Sequence, residues 1–183
     1  FYGGCSVNIA YGLSRLGLNG LPVLRVGGDY IENGFKAFLE QGGVSTEGIR
    51  VIEEEATSVC YLLQDNQNDH ITIFYPGAMD EKYAQPLEDE LFQNTRLGVI
   101  TVASRADNEE FYRQCVRHQV PVVFGMKDDF DAFPQEFLKV LLTGSKIIFT
   151  NDVERGIIEQ IYGLGDITEL FSLGSAALIV TTL

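Results

Sequence analysis

FYGGCSVNIA, residues 1–10, predicts how the chain starts its fold: a short extended piece, two glycines and then a helix. Apolar residues recur near the 3.6-residue period of a helix as far as Leu16. Gly17 follows as a helix-stop signal. The chain therefore opens with a helix directly behind a glycine pair, and this arrangement has consequences for ligand binding.

A glycine pair before a helix suits the approach of a small ligand. Gly3 and Gly4 carry no side chain to keep a ligand away from the backbone. The helix N-terminus adds free N–H groups and the positive end of the helix dipole. The amide of Asn8, in the first turns, can donate to one hydroxyl and accept from another. The stretch favours a polyol or a ribose, and a simple turn before a helix is the competing interpretation.

Composition argues against several classes of partner. The 183 residues include 26 acidic and 13 basic ones, for a net charge of −13. Binding to nucleic acid needs clustered Lys and Arg, so we expect no such partner. No stretch has the roughly 18 apolar residues of a membrane span, so we expect no membrane partner. Cys5, Cys60 and Cys115 fit neither a disulfide framework nor a zinc site, which predicts a reduced, cytoplasmic protein.

Strand-like and helix-like segments alternate along most of the chain. We predict strands at 23–26, 49–52, 97–103, 120–124, 146–150 and 176–182, and later helices at 87–93, 107–118, 134–142, 152–162 and 167–173. Alternation of this kind implies βαβ crossovers and a mainly parallel sheet with helices on both faces, a three-layer α/β/α arrangement. The length suits a single domain over residues 1–183.

One antiparallel hairpin interrupts this alternation at about 57–75. Two runs of β-formers there are separated by the polar turn 66–69. We expect this hairpin to form a flap. The apolar residues that share one of its faces are Val59, Tyr61, Ile71 and Ile73. A flat, exposed apolar face is typical of a protein–protein interaction surface, so a homodimer through the hairpin is one interpretation of this segment.

A polar group follows the predicted strand 146–150, and ligands of parallel sheets bind at the carboxyl ends of the strands. Asn151 or Asp152 can cap the next helix, and Glu154 lies within its first turn. This spacing satisfies a capping box. It also allows a polar pair that holds the water shell of a magnesium ion. The sequence leaves both interpretations open.

Together these segments resemble the ribokinase-like (PfkB-type) sugar and nucleoside kinases. The segment 3–10, the pair at 16–17 and the segment 26–29 resemble the amino-terminal signature of that family. The hairpin end at 71–79 is similar to its lid, and 151–154 matches its NxxE motif. The resemblance covers essentially the whole chain, and its wording is nearest to the bacterial adenosine-kinase-like branch.

The resemblance implies a central sheet between helical layers, with a small β-lid over a sugar site. It implies magnesium-assisted transfer of the ATP γ-phosphoryl group to a primary hydroxyl of a sugar or nucleoside. The residues that it assigns to the substrate are Gly3, Gly4, Asn8 and Asp29. It assigns Asn151 and Glu154 to magnesium, through water.

The chain also departs from the family pattern. It begins after the family's first strand, which carries a substrate-binding aspartate, and it ends at Leu183, before the GAGD-type loop with its anion hole and proton-accepting aspartate. Gly125-Met126 stands where Asp-Pro is expected. We therefore expect a fragment of a longer kinase that is inactive by itself, and we assign no catalytic residue within it. A non-catalytic sugar- or nucleoside-binding homologue is the alternative. The sequence does not identify the acceptor.

Overall fold

The computed structural model describes residues 1–67 and 69–182, with the backbone alone at residue 70. The chain forms two compact units, Phe1–Ala84 and a second that begins at Gln85. The expected single domain over 1–183 stays a prediction. Among the described residues, no helix combines the length and the apolar character that crossing a membrane requires.

The first unit is built on two helices and two short parallel strands. Its elements are helices α1 (Cys5–Arg15) and α2 (Phe35–Gln41), strands β1 (Leu24–Gly27) and β2 (Ile49–Ile52), and three 3-10 helices (Gly28–Tyr30, Gly77–Met79 and Glu81–Tyr83). Strand β1 pairs with β2 in parallel register. Its core is formed by the buried residues Val7, Ala10, Val26, Tyr30, Phe35, Leu39 and Val44. The helix and strand predictions for this unit are confirmed.

The antiparallel hairpin between 57 and 75 is also confirmed. Strands β3 (Val59–Gln64) and β4 (His70–Tyr75) pair so that Tyr61 lies opposite Ile73. Every residue of β3 is exposed to solvent. These two strands are called the lid hairpin below. The register defines the apolar face of this hairpin. Val59 pairs with Tyr75, two residues along from the pair of Tyr61 and Ile73, so all four side chains lie on the same side.

The second unit contains a four-stranded parallel sheet in the order β5-β6-β7-β8. Its strands are β5 (Gly98–Ile100), β6 (Val122–Gly125), β7 (Ile147–Asn151) and β8 (Leu178–Thr182), and its helices are α3 (Arg105–Arg117), α4 (Gln135–Gly144), α5 (Asp152–Tyr162) and α6 (Leu170–Leu173). Large side chains that are fully buried include Phe124, Phe133, Leu138, Leu141 and Ile148. The predicted parallel sheet is confirmed here.

The predicted helix at 87–93 is wrong. The segment forms only a 3-10 turn at Asp89–Leu91. The backbone of its first residue bonds to helix α3: the Leu87 N–H donates to Glu110 Oε1 at 3.0 Å, and the Leu87 carbonyl accepts from Gln114 Nε2 at 3.1 Å. Tertiary hydrogen bonds therefore replace the local ones that a helix would need.

Two further boundaries differ from the predictions. Helix α3 begins at Arg105, because the Ser104 side chain accepts from the Asp107 N–H at 3.2 Å and caps it. The predicted helix at 167–173 divides into a 3-10 turn, Ile167–Glu169, and the short helix α6. A side-chain cap therefore sets the start of α3, whereas α6 begins without one.

Candidate functional site

The N-terminus of α1 is open to solvent. Gly4 is its N-cap residue, with φ 109°, a conformation that favours glycine. Because glycine has no side chain, no side chain of the N-cap residue covers the first N–H groups of the helix. Val7 and Ala10 bury the opposite face of the helix. Gly3, Gly4 and Asn8 consequently lie together on the exposed side.

The Asn8 amide lies beside the glycine pair. A Cβ atom on Gly3 would stand 3.5 Å from Asn8 Oδ1 and 3.8 Å from Nδ2. Within the described residues, the Asn8 side chain makes no hydrogen bond, so its donor and its acceptor are both available. The structure thus brings together three of the four residues assigned to the substrate.

Tyr2, which the sequence interpretation did not single out, holds the segment before these glycines. Its ring centroid lies 5.7 Å from that of Phe35 and 5.0 Å from that of Phe38. Its hydroxyl donates to the Asn33 carbonyl at 2.6 Å. An aromatic residue directly before a glycine pair was the available signal, but its partners lie more than thirty residues away.

The Asp29 carboxylate is already engaged with neighbouring residues. Oδ1 accepts from the Thr57 N–H at 2.8 Å and from the Thr57 hydroxyl at 2.7 Å. Oδ2 accepts from Asn33 Nδ2 at 3.2 Å. Burial raises the pKa of Asp29, but the hydrogen bonds from Thr57 and Asn33 outweigh it, and the pKa lies below its ordinary value. The structure therefore places Asp29 between the entry to the lid hairpin and the loop that Tyr2 contacts.

In the second unit, a depression of about 200 Å³ lies at the carboxyl ends of three strands. Its lining residues are Gly125, Met126, Phe149, Thr150, Asn151, Glu154 and Thr182. Such sheet edges are where ligands of parallel sheets bind. The threonines were not predicted as site residues, because hydroxyls at strand ends carry no distinctive sequence pattern.

Asn151 and Glu154 form a complete capping box at the start of α5. Asn151 Oδ1 accepts from the Glu154 N–H at 2.8 Å, and Glu154 Oε2 accepts from the Asn151 N–H at 2.9 Å. Glu154 is only 6% exposed. The capping interpretation left open by the sequence is therefore confirmed, and it occupies one oxygen of each side chain.

Capping does not exclude a role toward a metal ion. Glu154 Oε1 accepts no hydrogen bond from the described residues, although the side chain lines the depression. The same part of the chain contains no cluster of three or more His, Cys, Asp or Glu side chains able to hold a metal. One free carboxylate oxygen fits magnesium, which keeps most of its waters and uses one or two carboxylates. Direct ligation by several protein groups does not fit.

A model of the pfkB family of carbohydrate kinases matches residues 1–182. The chain belongs to that family. A nucleoside kinase of Methanocaldococcus jannaschii is 26% identical over 157 residues, which are 84% of this chain and 50% of the relative. The chain thus spans about half the length of this curated relative.

Solved structures agree on the fold of this pfkB-family chain. A nucleoside kinase from Burkholderia thailandensis in complex with inosine has a TM-score of 0.82 at 21% identity, covering 100% of this chain and 59% of its own. The same enzyme in complex with ADP-inosine has a TM-score of 0.81 at 22% identity, covering 98% and 55%. The Methanocaldococcus jannaschii nucleoside kinase, a ribokinase-family member, has a TM-score of 0.83 at 22% identity, covering 100% and 58%. The ribokinase-like fold is confirmed, and the narrower adenosine-kinase-like branch stays a prediction.

Proposed function

We propose that this chain carries the acceptor-binding part of a kinase that transfers the γ-phosphoryl group of ATP to a primary hydroxyl, with a nucleoside as acceptor. One observation carries the proposal: Asn8 presents an unbonded amide beside Gly3, at the uncapped N-terminus of α1. The pfkB family membership supports the reaction class. Relatives that are named nucleoside kinases, one of them in complex with inosine, support the acceptor class.

The substrate residues have distinct tasks in this proposal. Gly3 and Gly4 let the ribose approach the backbone, because a Cβ at either position would occupy that space. The Asn8 amide donates to one ribose hydroxyl and accepts from the other. Asp29 lies in the same unit, bonded to Thr57 and Asn33. Gly3, Gly4 and Asn8 bind and orient the acceptor, and orientation is most of what phosphoryl transfer asks of a protein.

Magnesium and ATP belong to the same proposal. Glu154 would hold magnesium through water with its free oxygen, and Asn151 would keep Glu154 in place through the capping box. When bound, the ion neutralises charge on the phosphate oxygens. The ADP-inosine complex of the Burkholderia thailandensis enzyme supports ATP as the donor.

We also propose a homodimer through the apolar face of the lid hairpin. Tyr61 is 58% exposed and Ile73 is 53% exposed, and they lie opposite each other on that face. Burying such a face against a second copy removes apolar area from water. Light scattering at several concentrations tests this: Ile73→Glu should shift the mass toward the monomer, whereas Arg50→Glu, at an exposed position of β2, should not. An unchanged mass in Ile73→Glu contradicts the dimer.

Partners and compartment complete the proposal. The net charge of −13 argues against a nucleic-acid partner, because a polyanion would be repelled. We expect no membrane partner either. The three cysteines are free thiols, which supports a reduced, cytoplasmic location.

The function is tested on the full-length protein with ATP, magnesium and a panel of nucleosides and sugars. We expect nucleosides to be phosphorylated, and Asn8→Ala to lower kcat/KM for the acceptor by about 5- to 150-fold, the effect of losing one polar contact. The KM for ATP should stay unchanged. Asn19→Ala, at another exposed asparagine of the same unit, is the matched control and should behave as wild type.

Three results would contradict this scheme. Phosphorylation of none of the acceptors, with binding intact, would favour the non-catalytic homologue. Equal losses for acceptor and ATP would mean that Asn8 supports the fold and not the acceptor. Transfer to sugars but not to nucleosides would remove the nucleoside part of the proposal and keep the kinase part.

A further inference from the structure

The orientation of the lid hairpin is set at its two ends. All residues of β3 are exposed, so the strands themselves gain little from packing against other elements. The chain enters the hairpin through residues 55–57 and leaves it through residues 77–80. We call these two segments the hairpin root. Whatever holds the root determines where the hairpin points.

The exit side of the root is held by a buried arginine of β1. Arg25 is 8% exposed, and its Nε donates to the Ala78 carbonyl at 2.8 Å. Its Nη2 reaches the carbonyls of Met79 at 3.2 Å and Asp80 at 3.3 Å. A planar guanidinium presents several donors in a fixed geometry, so these contacts fix the backbone of the exit segment.

The entry side lies against the end of the same strand. A Cβ on Gly27 would stand 2.3 Å from the backbone of Ala56, so the backbone at the end of β1 and that of the entry segment are in direct contact. The Gly28 N–H donates to the Glu55 carbonyl at 3.0 Å. The Gly27 N–H donates to Thr57 Oγ1 at 3.1 Å. Thr57 is thus the last residue of the entry segment that β1 holds.

The Thr57 hydroxyl can donate one hydrogen bond, and it donates that bond to Asp29. Oγ1 donates to Asp29 Oδ1 at 2.7 Å while it accepts from the Gly27 N–H, so both roles of the hydroxyl are assigned. The Thr57 N–H donates to the same carboxylate oxygen at 2.8 Å. Two donors of one residue therefore bond to one charged oxygen, and hydrogen bonds to a charged acceptor are stronger than neutral ones.

The other oxygen of Asp29 faces Asn33, which contacts the segment 2–4. This segment contains the two glycines assigned to the substrate and is called the acceptor loop below. Oδ2 accepts from Asn33 Nδ2, and the Asn33 carbonyl accepts from the Tyr2 hydroxyl. Tyr2 directly precedes Gly3 and Gly4. Hydrogen bonds therefore link Tyr2, the residue before the two glycines, through Asn33 and Asp29 to Thr57 of the hairpin root.

We propose that Asp29 is a positioning residue that holds the lid hairpin and the acceptor loop in one fixed arrangement, and that it does not bind the acceptor itself. The assignment rests on the proposed kinase function. Three of the four acceptor positions of its carboxylate are filled by Thr57 and Asn33. Its charge strengthens these bonds, which matches the lowered pKa. A hairpin held in one position can exclude water from the reacting groups.

Amide hydrogen exchange on the full-length protein, without substrates, tests the assignment directly. In Asp29→Ala the Thr57 amide should exchange about 10- to 100-fold faster, the factor for losing a hydrogen bond to a charged group. Asp29→Asn, which keeps the shape, should show a smaller increase. Glu32→Gln removes an exposed carboxylate from the same loop and is the matched control, with no change expected. Exchange of Thr57 within about twofold of wild type in both Asp29 variants would overturn the proposal.

Kinetics of the same proteins separate positioning from direct binding. Positioning predicts that Asp29→Asn lowers kcat, leaves the acceptor KM nearly unchanged and raises ATP hydrolysis relative to transfer. Direct binding predicts a raised acceptor KM with normal exchange at Thr57, and this pattern would overturn the proposal. Thr57→Val should reproduce the Asp29→Asn kinetics, and Thr57→Ser, which keeps the hydroxyl, should restore them.

The exchange measurement also separates this inference from the proposed function. If the full-length protein phosphorylates no acceptor, the kinase proposal fails, and the exchange of Thr57 still decides whether Asp29 holds the root. If Asp29→Ala does not fold, Asp29→Asn decides instead. Faster exchange of the Thr57 amide in this variant supports the assignment, and wild-type exchange overturns it.

Discussion

Replacing Glu154 separates its capping role from a role toward magnesium. In the structure Oε2 accepts from the Asn151 N–H at 2.9 Å, whereas Oε1 bonds to no described residue. Glu154→Gln keeps an acceptor for the Asn151 N–H and removes the charge. Glu154→Ala removes both. The two variants therefore affect the cap and the charge to different extents.

The magnitudes follow from these contacts. Loss of a capping interaction costs about 1 kcal/mol, so Glu154→Ala should lower Tm by about 2–4 °C for a chain of this size. Glu154→Gln should change Tm by less than that. The charge matters when phosphoryl transfer develops negative charge that magnesium must neutralise. We therefore expect Glu154→Gln to need more magnesium and to show a lower kcat.

The assay is a magnesium titration of turnover beside a melting curve, both on the full-length protein. Asp152→Asn is the matched control, because it removes a carboxylate from the same first turn but does not line the depression. It should leave the magnesium requirement unchanged. A lower Tm in Glu154→Gln with wild-type magnesium dependence would refute our reasoning and leave Glu154 as a cap alone.

Two further predictions concern titration and thiol reactivity. The folded pKa of Asp29 lies below its ordinary value near 3.8, so its contribution to stability is present above that pH and is lost as pH falls through the folded pKa. Urea midpoints of wild type and Asp29→Asn should therefore differ at neutral pH and converge below about pH 4, and a constant difference would contradict this. Burial raises the pKa of the Cys115 thiol to about 12. Iodoacetamide at neutral pH should therefore modify the exposed Cys5 and Cys60 and leave Cys115 unmodified until the protein unfolds. Mass spectrometry of the alkylated peptides checks this.

The predictions that succeeded rest on short-range patterns. The capping box of Asn151 and Glu154 needs only a spacing of three residues, and helix α5 runs from Asp152 to Tyr162 as predicted. The hairpin was readable because two runs of β-formers flank a polar turn. The predicted helix at 87–93 was wrong because the contacts that decide this segment are long-range: Leu87 bonds to α3, which follows it by about twenty residues. A local pattern does not contain that partner.

The candidate site divides along the same line. The sequence alone predicted which residues bind the substrate, since glycines before a helix and an asparagine in its first turn are local features of residues 3–8. Only the tertiary structure decided what Asp29 does, because its partner Thr57 lies 28 residues away and meets it through the pairing of β1 with the hairpin root. Likewise Tyr2 reaches Asn33 only once α2 has packed under its ring. Contacts between distant residues depend on how the chain closes its loops. The packing of the whole core decides which loops close, and a short stretch of sequence does not contain that information.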